Sequence, residues 1–211
     1  MRAALPVLLS IACGQDLAVH IRSGDRPPNP EYLVVAGNVD VDEFLVVLRN
    51  LRLQSTPTDG GVSTPDEAIV GPGAFVVDLK GPQLTGGQFT PLIDGFHIKP
   101  KGYYEMDIDL SPVSGADVAG NALLAPLLGK TYVITGRDSH GVPFTFSGSP
   151  TQTLVRSYTF RMGMNHNNID VNIAPNQWFV QPDGGALDPR TTDPAVRAQI
   201  EANVAASIDA Y

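Results

Sequence analysis

The stretch Tyr103-Tyr104-Glu105-Met106-Asp107-Ile108-Asp109-Leu110 alternates between large apolar and acidic residues along almost its whole length. Successive side chains of a β-strand point to opposite faces, so Tyr104, Met106, Ile108 and Leu110 share one face. Tyr103, Glu105, Asp107 and Asp109 share the other. This is the pattern of a half-buried strand, which predicts the first set in a core and the second facing water or a cation.

Working outward, further strand signals recur at short spacing. They are Tyr32 to Val39, Phe44 to Leu53, Phe75 to Leu79, Phe89 to Ile98, Tyr132 to Thr135, Phe144 to Phe146, Leu154 to Met164 and Ile169 to Ile173. In the second of these, Leu45, Val47, Leu51 and Leu53 are predicted to share a face. Turn residues separate the runs: Asp59-Gly60-Gly61, Gly71-Pro72-Gly73, Gly86-Gly87, Lys101-Gly102 and His140-Gly141. Many short strands joined by Gly-bearing turns predict a mainly β fold, an antiparallel β-sandwich. Near the end the period changes. Asp193-Pro194 supplies an N-cap and a proline at the first helical position, and Val196, Ile200, Val204 and Ile208 then recur every four residues. One C-terminal α-helix is therefore expected over about 193–211.

The 211 residues include 21 Gly and 18 Pro, well above the usual combined share of about 12%. They are spread along the chain, as turns are. The net charge of −8 argues against a nucleic-acid partner, whose phosphates it would repel. The single cysteine, Cys13, allows no internal disulfide. It follows a short basic start, Met1-Arg2, and an apolar run from Leu5 to Ala12, the arrangement of an export leader. Residues 1–12 are read as a lipoprotein leader and signal peptide, with Cys13 the lipidation site, because a run this short cannot span a bilayer. The other reading of the same residues is a first β-strand with a buried free cysteine. On the lipoprotein reading residues 13–32 form an N-terminal segment and Pro-rich spacer, and residues 33–211 form the β-sandwich domain.

Four stretches carry a resemblance: Phe75 to Leu84 (FVVDLKGPQL), Ile98 to Leu110 (IKPKGYYEMDIDL), Gly141 to Ser147 (GVPFTFS) and Pro175 to Tyr211. Together they resemble an uncharacterised family of bacterial envelope lipoproteins with a transthyretin-like or related β-sandwich domain. The leader and the resemblance together imply a cell-envelope address, at the outer membrane or in the periplasm, with a lipid anchor to a membrane; an envelope protein or glycan is the expected partner. It implies no activity.

Three constellations could carry chemistry. Met162, Met164 and His166 project to one side of a strand, and two thioethers with an imidazole are soft ligands suited to copper; the simpler reading makes Phe160, Met162 and Met164 a core face with His166 at the strand end. Glu105, Asp107 and Asp109, with Asp40, Asp42 and Asp183 elsewhere, offer oxygens for calcium, although no EF-hand spacing is present. Trp178 beside Phe179 could stack on a sugar ligand, or could lie in the core as most tryptophans do. Catalytic motifs are absent from the sequence: there is no Gly-x-Ser-x-Gly, no His-Glu-x-x-His and no phosphate-cradling Gly-x-x-x-x-Gly-Lys-Ser/Thr loop. Asp138-Ser139-His140 holds triad residue types on one turn, where adjacent side chains cannot act as nucleophile, base and orienter together. The expected function is thus a non-catalytic envelope binding or structural module, with a copper carrier and a carbohydrate-binding domain or glycan hydrolase as alternatives.

Overall fold

A computed structural model describes residues 15–23, 33–35, 38–55, 66–81, 83–85, 90–98, 102–161 and 167–210. The strands are β1 (Gln15–Ser23), β2 (Leu33–Val35), β3 (Val39–Ser55), β4 (Asp66–Lys80), β5 (Thr90–Ile98) and β6 (Gly102–Leu110). After helix α1 (Gly115–Gly120) and a 3-10 turn (Ala122–Leu127) come β7 (Tyr132–Arg137), β8 (Pro143–Gly148), β9 (Gln152–Arg161) and β10 (Asn167–Ile173). A second 3-10 turn (Pro175–Gln177), helix α2 (Pro194–Ala206) and β11 (Ile208–Ala210) complete the order. Four strands form one sheet in the order β11-β10-β1-β5, and seven form a second built around β3. The fold is mainly β with one C-terminal α-helix, an arrangement consistent with a β-sandwich. One continuous apolar cluster draws side chains from both sheets, among them Leu17, Val19, Phe44, Met106, Ile134, Phe146 and Val171.

The alternation in β6 acts as expected on its apolar side: Met106, Ile108 and Leu110 are buried. The side chain of Tyr104 lies outside the described residues. On the acidic side the expected exposure is corrected, because Asp107 is only 8% exposed and Glu105 and Asp109 are half-buried. The reason is the neighbouring strand. Arg52 on β3 pairs in register with Asp107 and donates two hydrogen bonds to the Asp109 carboxylate, at 2.7 and 2.8 Å. The cation that this face meets is a guanidinium of the chain itself.

β3 is 17 residues long and changes partners midway. It pairs with β7 through Asp40 to Val46 and with β6 through Arg49 to Gln54, while β4 follows it along the opposite edge. The switch occurs at Asn50, where φ is +45° and the register slips. The bulge reverses the faces: Phe44, Val46 and Leu48 before it and Leu51 and Leu53 after it all enter the main core. The prediction that Leu45, Val47, Leu51 and Leu53 share a face is therefore corrected. Leu45 and Val47 look the other way, into a second apolar cluster with Val113, Leu124 and Leu127. A similar irregularity lies opposite Gly136, where a Cβ would collide with the Asp40 carbonyl oxygen.

Two boundaries also move. The segment 13–32 contains β1, which lies inside the first sheet, parallel to β10 and antiparallel to β5, with Leu17, Val19 and Ile21 fully buried. The ordered fold thus includes residues well before 33, and the Pro-rich stretch follows the first strand instead of preceding the domain. At the other end α2 starts as predicted, with Asp193 accepting from Ala195 N–H at 2.8 Å and Pro194 beside it. Ile200 and Val204 are buried and Val196 packs against the core. The helix stops at Ala206, however, and Ile208 is buried from β11, in register with Ile173. Arg156 on β9 secures this turn, donating to the Ala205 and Ile208 carbonyls at 3.0 and 2.7 Å.

Candidate functional site

The outer face of the seven-stranded sheet carries an open cleft of about 580 Å³. Its floor is Leu45, Val76 and Val133, contributed by three adjacent strands, and register places Leu45 between Asp78 on β4 and Val133 on β7. Leu123 and Pro126 of the first 3-10 turn form its wall, and Glu43, Asp78 and Lys130 stand at its rim. The sequence builds this place by making Phe44 to Leu48 apolar on both faces. A strand buried on both faces reads as a continuous apolar run, and here the second face needs a cover.

Residues 114–131 provide the cover. Ser114 and Asp117 form a capping box that starts α1. Arg49 holds Asp117 bidentately, at 3.0 and 2.9 Å, and so ties the cover to β3. The guanidinium, with the Ser114 hydroxyl and N–H, keeps the Asp117 carboxyl well below the usual carboxylate range. Leu124 and Leu127 then turn inward onto Val47 and Val113, while Leu123 and Leu128 remain exposed, at 73% and 55%. The cover therefore closes the middle of the apolar face and leaves its Leu45 end open.

The charges at the rim differ in their engagement. Lys80 donates to Asp78 at 2.7 Å and to Glu43 at 3.4 Å, and these contacts hold its ammonium pKa above the usual value. Among the described residues Lys130 makes no ion pair.

The residues singled out in the sequence are placed elsewhere. Asp109 accepts from Arg52, Thr153 and Asn50, and these donors, the Arg52 guanidinium foremost, hold its carboxyl below the ordinary range. Asp107 accepts weakly from Gln54 at 3.4 Å and keeps one buried oxygen, Oδ1, without a hydrogen-bond partner. No three His, Cys, Asp or Glu side chains among the described residues are grouped to hold a metal ion. Asp107 and Asp109 thus face Arg52, and Glu105 stands opposite Gln54 in register. Trp178 is fully buried 4.6 Å from the Phe44 ring, and its indole N–H donates to Ser207 Oγ at 2.7 Å. Stacking on a sugar requires an exposed ring face, which Trp178 lacks. Cys13, Met162, Met164 and His166 lie outside the described residues.

Asp138, Ser139 and His140 line a smaller hollow of about 340 Å³ with Arg190. Asp138 accepts the backbone N–H groups of His140 and Val142 at 2.9 Å and the Arg190 guanidinium at 3.0 Å. These bonds, that from Val142 first, lower its pKa. Ser139 Oγ is 3.3 Å from His140 Nδ1, but Asp138 reaches the His140 backbone and not its ring. The three residues close the β7–β8 hairpin.

Sequence reasoning did not find Lys130, Leu123 or the cleft floor. The doubly apolar run at Phe44 to Leu48 and the Ser114-x-x-Asp117 capping pattern were the available signals. No helix among the described residues is long and apolar enough to cross a membrane. In comparison with known protein families, curated proteins and solved structures, the chain finds no match.

Proposed function

We propose that this chain is a non-catalytic cell-envelope lipoprotein, anchored through Cys13, whose fold serves as a binding module. The observation that carries the reading is the apolar cleft beside the 114–131 cover. It has the size and composition of small-molecule sites, which are concave, mostly apolar and edged by a few polar groups. Among the described residues no Ser, Thr, Cys or His lines it, so these offer no hydroxyl or thiol nucleophile with an adjacent base. The carboxylates of Glu43 and Asp78 already share Lys80 between them.

The experiment is a fluorescence titration of the full chain with the neutral apolar probe N-phenyl-1-naphthylamine. One saturable site is expected, weakened about tenfold in Leu123→Asp, where a charge enters the wall of the cleft. Absence of saturable binding would refute the cleft as a ligand site. The address is tested separately, by the intact mass of protein taken from its native envelope. A mass corresponding to cleavage before Cys13 plus acyl chains supports the anchor, and a mass retaining Met1 sinks it.

A further inference from the structure

We infer that the ligand of this cleft is a single-chain amphiphilic anion, an alkyl chain ending in a carboxylate, with its head at Lys130. The inference rests on the cleft being a binding site and assigns its chemical class. Among the described residues, the polar ones lining the cleft are all charged: Glu43, Asp78 and Lys130. Sugars and nucleobases are ordinarily held against an aromatic face, and among the described residues no hydroxyl, amide or aromatic side chain lines this site. What remains is an apolar body with a charged end.

The sign of that charge follows from what is already paired. Glu43 and Asp78 lie on the Lys80 side, where the ammonium bridges both. A cationic head there would compete with an existing ion pair. Lys130 has no such pair among the described residues, so an anionic head meeting it displaces only water. The net charge of −8 opposes the approach of any anion. That repulsion is screened beyond a Debye length of about 8 Å at physiological salt, whereas the contact with Lys130 is local. The floor spans three strands spaced about 4.8 Å apart, a breadth suited to one alkyl chain lying across Val76, Leu45 and Val133.

The test is calorimetry on the full chain with sodium decanoate, decanol, decyltrimethylammonium and a soluble two-chain anionic phospholipid, each below its micelle concentration. Decanoate is expected to bind tightest. Lys130→Gln, a change at a partly exposed rim, should weaken decanoate about fivefold, as an exposed ion pair does, and leave decanol unchanged. Lengthening the carboxylate by one methylene should tighten binding about fourfold. Equal binding of decanoate and decanol, unaffected by Lys130→Gln, would overturn the anionic head while leaving the cleft as an apolar site. Tightest binding of the ammonium compound would also overturn it, and tightest binding of the phospholipid would overturn the single chain. If none of the four binds, the cleft itself fails as a ligand site, and the assignment of ligand class falls with it.

Discussion

The outer face of β3 has two halves that solve one problem in opposite ways. Before Asn50 it presents Glu43, Leu45 and Val47; after it, Arg52 and Gln54. The first half is apolar, and a separate stretch of chain covers it incompletely, leaving the cleft. The second half is charged and covers itself, because Arg52 lies across the carboxylates of β6 and leaves little room above them. Arg49, at the junction, holds Asp117 and thus the cover of the first half. A sheet face closed by its own side chains is fixed; one closed by a loop has an opening where the loop ends. That opening is where binding is proposed.

The sharpest way to break the contrast is to remove the bulge that separates the halves. Asn50 holds a positive φ, which asparagine tolerates and β-branched residues do not. Its amide also bridges the strands, donating to Asp109 Oδ2 at 3.0 Å and accepting from Gly73 N–H at 3.2 Å. Asn50→Val should therefore cost about 3 kcal/mol in urea unfolding, and Asn50→Gly, which loses the bonds but keeps the backbone freedom, about 1 kcal/mol. Equal costs would mean that the backbone conformation at this position places no demand on the residue.

Next in size is the self-covering half. Arg52→Ala leaves Asp109 and the largely buried Asp107 without their guanidinium. Breaking a buried pair costs about 3–5 kcal/mol and an exposed one under about 1, so this partly exposed pair should lose about 2 kcal/mol. The Arg52→Ala/Asp109→Asn double variant should recover part of that loss. If the two changes add without coupling, the pair is not what covers this face.

How much of this contrast could be read beforehand depends on whether the physics was local. The alternation of β6 and the four-residue period after Asp193-Pro194 were legible, since a single strand or helix sets them. The period misled at Ile208, because burial in a strand and burial on a helix stripe select the same residue type. β1 was hidden behind the apolar run at Leu5 to Ala12, which invited a leader and made what followed look like a tether. The bulge at Asn50 leaves no trace in hydrophobicity: Phe44 to Leu53 reads as one strand, and only a change of pairing partner reveals that its faces exchange. The burial of Asp107 was unreadable for a related reason, since its cover comes from a strand more than fifty residues away. The cleft itself is assembled from three strands and a loop, so it becomes visible only once their registers are known.

Acid sharpens the comparison further. The carboxyls of Asp109 and Asp117 titrate below their ordinary values, held there by Arg52 and by Arg49. Their unfolded counterparts titrate near about 3.9, so below that pH the unfolded chain takes up protons first and is favoured. The stability they supply is complete above the unfolded value and is lost as pH falls from about 4 toward the folded pKa. Urea midpoints should therefore be flat from pH 7 to about 5 with respect to these groups and decline below about 4. Asp109→Asn should flatten the decline; if the slope is unchanged, other carboxylates carry it.

The smallest expected effect is at the open end of the cover. Leu123 is mostly exposed, and Leu123→Ser should alter stability by no more than about 0.5 kcal/mol, as surface substitutions usually do. An exposed leucine that contributes nothing to folding is common and needs no explanation by itself. Placed at the wall of the apolar cleft, it has a second use in the proposed binding. If Leu123→Ser weakens the naphthylamine probe while leaving the urea midpoint in place, stability and binding separate on this face, as the incomplete cover implies. If it shifts the midpoint and the probe together, Leu123 belongs to the packing of the cover, and both halves of β3 are closed surfaces that differ only in polarity.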